Sequence, residues 1–372
     1  MSKTRKRLAM FLPSLQGGGV ERVMLNLARG FAARGEDILL ILGQAEGPYM
    51  KDAESLQISD LKTRRTLSCL FPLRRELRAQ KPDLLISAHN HANLVSVMSR
   101  AISQLKLPLM LTVHSTLSLE IESAPARWRM LPGLIRHFYP RAEKIVAVSN
   151  GVADDLAKTA GVPRNRVEVI PNPVVTPDLT AKSMQEVNWP WGKAQDGRPV
   201  VIGAGRLDEK KDFATLIRAF AFVRKKARAR LIILGEGPER TNLENLAHEL
   251  GISEDVFLPG FTSNPYPCLA NSNLFVLSSV SEGLPTVLIE AMALGVPVVS
   301  TNCRSGPDEI LDGGRLAPLV PMKNDEELGR AMLEILRSRP DVIPLKKRAE
   351  HYALEPVIDR YLGLIHEVLG SK

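Results

Sequence analysis

The sequence predicts an α/β protein built from two parallel-sheet domains. Three observations carry this: a length of 372 residues, a hydrophobic content of 44%, and strand-length apolar runs alternating with helical patterns in two successive blocks. A chain of this length exceeds one ordinary core and suits two domains. Apolar runs alternating with helices are the mark of parallel strands covered on both faces.

In the first block, strands are expected at 8–12, 37–42, 83–87, 107–113 and 144–148, with helices of period 3.6 between them. The pattern fails from about Pro173 to Gly197, where Val-Val-Thr-Pro-Asp and Asn-Trp-Pro-Trp-Gly-Lys break regular structure. It resumes at Pro199, with strands at 200–204, 230–234, 256–258, 274–277 and 296–300. The expected divisions are a first domain over 1–175, a linker over 176–197, a second domain over 198–350, and a terminal segment over 351–372. Within that last segment, the amphipathic stretch 356–369 is expected to cross back and cover the first domain. Two similar halves imply a cleft between them.

The chain carries 49 Lys and Arg against 41 Asp and Glu, but the excess is one-sided. Residues 1–172 hold 25 basic and 15 acidic side chains, a net of +10, and the remainder carries −2. Such a first half suits an anionic membrane surface, a phosphorylated lipid or nucleic acid. No nucleic-acid module is recognisable, and 5% aromatics is too few for a stacking platform, so no nucleic-acid partner is expected. On a helix over 70–81, Leu70, Leu73 and Leu77 align beside Arg74, Arg75, Arg78 and Lys81. That face is a candidate for docking on anionic lipid, with a leucine stripe packed on the sheet as the plainer alternative.

Three scattered cysteines give no disulfide framework and point to a reducing compartment. The run Leu8–Leu15 after a basic start imitates a signal peptide, but it is short, contains Pro13 and leads into Gly17, Gly18 and Gly19. A buried first strand is the expectation. No stretch is long and apolar enough to span a bilayer. A cytoplasmic protein, peripheral on the inner face of the membrane, is the expected location.

Several residues are placed to do chemistry. Gly17, Gly18 and Gly19 stand where the first strand turns into a helix, a geometry that brings backbone close to phosphate, although a tight turn explains them equally. Their spacing lacks the dinucleotide fingerprint, and no ribose-binding acid follows, which removes a nicotinamide oxidoreductase. Arg206 and Lys211 follow the first strand of the second domain, at the sheet edge where ligands bind. They can hold a pyrophosphate, or they can be a solvated charged turn.

The most specific signal is Ser281-Glu-Gly-Leu-Pro-Thr-Val-Leu-Ile-Glu-Ala-Met-Ala-Leu-Gly295. Pro285 suits the first turn of a helix, which puts Glu282 in a loop and Glu290 among apolar helical neighbours. A carboxylate so placed binds a ligand, caps or forms a salt bridge. The N–H groups near Gly283 and Leu284 would offer positive dipole to a diphosphate. His114 ends a strand at 107–113, fit for a catalytic role or for a hydrogen-bonded core position. His89 and His91 lack a carboxylate motif that would make them metal ligands with it.

Together these elements resemble glycosyltransferase family 4, retaining enzymes of the GT-B fold. The resemblance rests on Gly-Gly-Val-Glu-Arg-Val from Gly18, Thr112-Val113-His114, Val-Ser-Asn-Gly-Val from Val148, and Ile-Pro-Asn-Pro-Val from Ile170. It continues through Gly-Arg-Leu-x-x-x-Lys from Gly205, Gly-Glu-Gly-Pro-Glu-Arg from Gly235, and Glu282 with Glu290 as an E-x7-E pair. The fold it implies is two Rossmann-like domains facing across a cleft, with a C-terminal helix returning to the first.

The resemblance implies that Arg206 and Lys211 bind the diphosphate of a nucleotide sugar, Glu290 its ribose, and Glu282 the transferred sugar. Gly18 and Gly19 would approach the phosphates, and His114 would stand near the anomeric centre as a sugar contact or proton carrier. Neither a metal nor a cofactor is implied. Segments 260–266 and 300–310 look most like enzymes of bacterial surface polysaccharides and lipid-linked oligosaccharides, which implies a UDP-hexose or UDP-N-acetylhexosamine donor and a saccharide or lipid-linked acceptor. GDP-mannose is the alternative donor. A noncatalytic sugar-nucleotide sensor is the alternative outside enzymology. A glycoside hydrolase needs two carboxylates flanking a bond, not one in a loop and one in a helix beside phosphate-binding signals. The segment Asp312–Pro321 departs from the family's usual Gly-x-Leu-Val-Pro ending.

Overall fold

The computed structural model describes residues 5–16, 18–122, 126–187, 189 and 197–370. The chain forms two compact units, divided between Val174 and Val175 and again between Ala353 and Leu354. The first unit runs to Val174 and regains the chain from Leu354; the second is Val175–Ala353.

The first unit holds seven strands: β1 (Arg7–Leu12), β2 (Asp37–Leu42), β3 (Gln57–Asp60), β4 (Leu84–Ala88), β5 (Leu109–Val113), β6 (Lys144–Ala147) and β7 (Val167–Val169). They form a parallel sheet in the order β3-β2-β1-β4-β5-β6-β7. Every residue of β4 and β5 is buried, as expected of strands covered on both faces. Asp83 and the pair Leu107-Pro108, inside the strands the sequence suggested, fall just outside the observed ones, and β3 and β7 are additional. Both additions are edge strands, and β3 reads Gln-Ile-Ser-Asp with no residue buried, so neither had an apolar run to announce it.

The second unit holds β8 (Val200–Ala204), β9 (Arg230–Leu234), β10 (Val256–Gly260), β11 (Leu274–Leu277), β12 (Val298–Thr301) and β13 (Leu319–Val320). Their order is β10-β9-β8-β11-β12-β13, again parallel. The unusual segment Asp312–Pro321 resolves into a turn and the two-residue β13, registered by Ser300 opposite Leu319 and Thr301 opposite Val320. In both sheets the direction of winding reverses beside the first strand, between β1 and β4 and between β8 and β11. Open α/β sheets bind ligands at the carboxyl ends of such strands.

The terminal helix Leu354–Gly370 belongs to the first unit's core through Val357, Ile358, Tyr361, Leu362 and Ile365. It packs on α1 (Gly19–Ala33), where Phe31 meets Tyr361 edge to face with ring centroids 6.1 Å apart. Gly30 permits the approach, since a Cβ there would stand 2.4 Å from Ile358 Cδ1. Arg34 closes the contact with ion pairs to Glu355 and Asp359.

The helix α2 (Leu70–Gln80) corrects the docking face read from sequence. Leu73 and Leu77 are fully buried, packed toward α3 (Asn90–Ser103), and Arg78 donates to the Ser103 carbonyl at 2.9 Å. The leucine stripe is core. The exposed apolar side chains nearby are instead Leu67, 61% exposed, and Phe71, 66% exposed.

Candidate active site

The second unit's site is assembled by loops at the ends of β8, β9 and β11. The turn carrying Arg206 is pressed against the loop after β9: Gly205 N donates to Leu234 O at 2.9 Å, Leu207 N to Glu236 O at 3.0 Å, and Glu239 N to Leu207 O at 3.0 Å. Gly235 is required there, because its φ is +143° and a Cβ would stand 1.8 Å from the Gly205 oxygen. The loop after β11 clamps the other end of the turn. Val280 N donates to Lys210 O at 2.9 Å and Ser278 Oγ to Lys211 O at 2.8 Å.

With its backbone fixed on both sides, Lys211 places Nζ 2.5 Å from Glu282 Oε1, which also accepts from Ser279 Oγ at 2.6 Å. Glu282 keeps 9% of its side-chain exposure and Lys211 23%. Thr301 Oγ1 donates to Ser279 O at 2.5 Å, so β12 helps hold this loop. Burial, reinforced by the Glu282 charge, pushes the neighbouring Cys303 thiol up to about 12 and leaves it inert. Arg206 differs from Lys211: its side chain is 74% exposed and its Nε lies 4.0 Å from Asp208 Oδ2.

Pro285 is the N-cap of the helix Thr286–Ala293, one position earlier than a first-turn proline. Glu282, Gly283 and Leu284 precede the helix, and Glu290 lies on it, 3% exposed. Tyr266 OH donates to Glu290 Oε1 at 3.2 Å. Tyr266 opens the helix Tyr266–Ala270, and Asn264 fixes that entry by donating to Lys182 O at 3.2 Å and to Gln185 Oε1 at 2.9 Å. Sequence reasoning quoted the segment around Tyr266 without giving it a role. A buried tyrosine needs a partner for its hydroxyl, and a lone buried carboxylate needs a donor, which is the signal that would have joined them.

In the first unit, Gly18 is the N-cap of α1 and Gly19 its first residue, while Gly17 lies outside the described residues. A Cβ on Gly18 would stand 2.3 Å from Glu21 Oε2, and Glu21 Oε1 lies 3.6 Å from His89 Nε2. His91 stacks on Trp128 with ring centroids 4.2 Å apart. Among the described residues no three His, Cys, Asp or Glu side chains converge as a metal site.

His114 follows β5 and is buried, with Nε2 2.9 Å from Thr112 Oγ1. Burial pushes its pKa down to about 3, with His89 adding to the shift and Asn172 opposing it. The ring is therefore neutral at physiological pH. An unfolded His114 takes up a proton as pH falls through its ordinary value near 6.5, while the folded one resists until about 3. Stability attached to this residue is full above 6.5 and declines as pH drops across that window. We expect His114→Gln to flatten the loss of stability between pH 7 and 5, read by denaturant titrations at each pH.

Sequence comparison places this geometry among known proteins. The profile of "Glycosyltransferase Family 4" matches residues 17–177, and that of "Glycosyl transferases group 1" matches residues 188–355. The chain belongs to the family 4 glycosyltransferases. Among curated relatives it is 26% identical, over 89% of its length and 90% of theirs, to the Campylobacter jejuni N-acetylgalactosamine-N,N'-diacetylbacillosaminyl-diphospho-undecaprenol 4-alpha-N-acetylgalactosaminyltransferase. It is 28% identical to the Rhizobium meliloti lipopolysaccharide core biosynthesis glycosyltransferase LpsE, over 94% and 96% of the two chains. In fold, this glycosyltransferase matches Anabaena HepE, solved with UDP and glucose, at a TM-score of 0.80 and 20% identity, covering 97% and 99%. The two parallel-sheet domains are those of the GT-B glycosyltransferases.

Proposed function

We propose that this glycosyltransferase moves a hexose or N-acetylhexosamine from a UDP-linked donor to a lipid-linked saccharide during surface-glycan synthesis, with retention at the anomeric carbon. The observation that carries the donor side is the Lys211–Glu282 pair at the carboxyl ends of β8 and β11, with the buried Glu290 on the helix that follows. Lys211 and Arg206 bind the diphosphate, Glu290 the ribose, and Glu282 the transferred sugar. The Campylobacter relative, named for a diphospho-undecaprenol substrate, and HepE, solved with UDP, support the choice of acceptor and nucleotide.

In the reaction the bond from the anomeric carbon to the diphosphate oxygen breaks, and the acceptor oxygen bonds the same face of that carbon. The acceptor proton passes to the departing diphosphate. The protein supplies position and positive charge, and with Arg206, Lys211 and helix dipole available no metal is needed. Melting curves in EDTA test this with a panel of UDP-sugars and GDP-mannose. A matching UDP-sugar at a hundred times its Kd should stabilise the enzyme by about 2.7 kcal/mol. A response to GDP-mannose alone would overturn the nucleotide assignment, and an absolute need for divalent metal in turnover would overturn the electrostatic one.

Tyr266 should act through Glu290. Tyr266→Phe removes a hydrogen bond to the Glu290 carboxylate, so donor KM is expected to rise about tenfold with kcat little changed. Initial rates at varied donor concentration measure the split.

An anionic membrane is the proposed site of work. No helix among the described residues is long and apolar enough to cross a bilayer. Leu67, Phe71 and Arg75 follow one another at spacings of four on helical backbone, with exposed Arg64 and Arg65 just before them. Apolar tips among arginines suit insertion into an anionic surface, each arginine contributing about 1 kcal/mol. Wild type should float with anionic liposomes at low salt, and a variant with Leu67 and Phe71 changed to Ser and Arg64, Arg65 and Arg75 to Gln should not. Equal flotation of both would end this assignment.

A further inference from the structure

Two side chains at the end of the first unit's sheet each leave a buried polar atom without a hydrogen-bond partner: His114 at Nδ1 and Asn172 at Oδ1. The residues are 9% and 5% exposed. Strand register makes them neighbours, since Val113 pairs with Ala147 and Ala147 with Val169. His114 and the loop bearing Asn172 thus leave β5 and β7 at similar heights, on strands two apart, about 10 Å. An imidazole and a carboxamide reach across that span above β6. The next residue is pinned, because Asn26 Nδ2 donates to Pro173 O at 2.9 Å.

The neighbouring bonds favour one place for the imidazole proton. Thr112 Oγ1 donates its one proton to Ser87 O at 2.9 Å, and a carbonyl can only accept. Toward His114 Nε2, 2.9 Å away, the same hydroxyl therefore accepts, and Nε2 is the protonated nitrogen. The chain is tied further by Ser87 Oγ donating to Asn93 Oδ1 at 2.6 Å and Asn93 Nδ2 to Thr112 O at 2.9 Å. Nδ1 is left with a bare lone pair. A half-turn of the Asn172 amide exchanges its oxygen for its NH2, replacing an orphaned acceptor with a donor of the kind that lone pair lacks.

We propose that Asn172 is a positioning residue whose carboxamide donates to His114 Nδ1 and, with Thr112 at the opposite edge, locks the imidazole as the neutral Nε2–H tautomer. With both nitrogens engaged, His114 offers shape and a fixed orientation and carries no proton in the reaction. That agrees with the departing diphosphate as the proton acceptor. Of the ionisable groups around it, His89 faces Glu21, and Glu120 accepts from Ser115 and Asn90, so none supplies a charge that would protonate the ring. Burial works in the same direction, while the opposing pull of Asn172 belongs to its carbonyl oxygen facing the ring and disappears with the half-turn of the amide.

The test is 15N NMR of the full chain labelled at its seven histidines, with His114→Gln assigning the signal. In wild type, His114 should show the Nε2–H tautomer and not titrate between pH 8 and 5. Asn172→Asp sets a carboxylate against Nδ1, which favours the charged ring. The His114 signal should then titrate within that range, and kcat should fall about tenfold at the acid end with a new ionisation in its pH profile. Asn172→Ala should lower kcat about fivefold without a new ionisation or a change in donor Kd. A proton on Nδ1 in wild type, or an Asn172→Asp enzyme whose His114 stays uncharged and whose pH profile is unaltered, would overturn the proposal. The rate measurements rest on the transferase reading of His114; the spectra do not, so the two can fail separately. Should Asn172→Asp not fold, the wild-type spectrum and Asn172→Ala still decide.

Discussion

Lys211→Ala should cost the enzyme both turnover and stability, whereas Arg206→Ala should cost turnover alone. The two cations share one turn and one proposed ligand, but their surroundings differ. Lys211 is held 2.5 Å from a Glu282 carboxylate that is 9% exposed, while Arg206 is 74% exposed and, among the described residues, has only a long contact to Asp208. Removing Lys211 takes the ion pair away from the Glu282 carboxylate and leaves Ser279 Oγ donating to the same oxygen. Breaking a fully buried pair costs roughly 3–5 kcal/mol, and partial exposure of the lysine brings the expected loss nearer 2 kcal/mol. Loss of one charge-stabilising donor lowers kcat roughly 10²–10³-fold. Arg206→Ala should show a comparable fall in kcat/KM with an unmoved melting temperature, and Arg206→Lys should recover only part, because the bidentate fork is gone. Steady-state rates and melting curves on the same preparations check both. Full turnover in Lys211→Ala would remove the ion pair from the donor site.

The sequence was most legible where burial forces composition. The central strands of both sheets are apolar runs because helices cover both faces, and β1, β2, β8, β9 and β11 all fell where those runs lie. Of the edge strands, β10 was legible but β3, β7 and β13 escaped, since β13 has two residues, β7 three, and β3 none buried. The site was legible as a set of residue types at fixed spacings, but the partnerships were not. Nothing in the spacing of Lys211 and Glu282 shows that they touch, because the contact depends on two loops from different strands closing on each other. Tyr266 meets Glu290, and Asn172 approaches His114, through the same kind of long-range convergence. The helix expected at 70–81 is present over Leu70–Gln80, but the role of its leucine face was hidden for a related reason. Amphipathic spacing identifies a buried face without saying what buries it, and here α3 does, leaving Leu67 and Phe71 as the exposed pair.

Glu290→Gln should abolish most donor affinity while leaving the ligand-free enzyme at least as stable as wild type. Glu290 is 3% exposed and accepts from Tyr266 OH, so its carboxylate is charge taken out of water and placed among Leu288, Ile289, Ala291 and Met292. Such placement generally costs stability unless a ligand completes the hydrogen bonding. Glutamine preserves the shape and still accepts from Tyr266 through its amide oxygen, relieving the buried charge without opening a cavity. Toward the donor the change runs the other way. Hydrogen bonds to a charged acceptor contribute roughly 1.5–3 kcal/mol, which corresponds to a rise in donor Kd of about one to two orders of magnitude. The melting-temperature increase that donor produces in wild type should therefore shrink or vanish in Glu290→Gln, while the ligand-free melting temperature holds or rises. The opposite pattern, a less stable free enzyme that still responds fully to donor, would make Glu290 a structural residue and leave the ribose without its proposed partner.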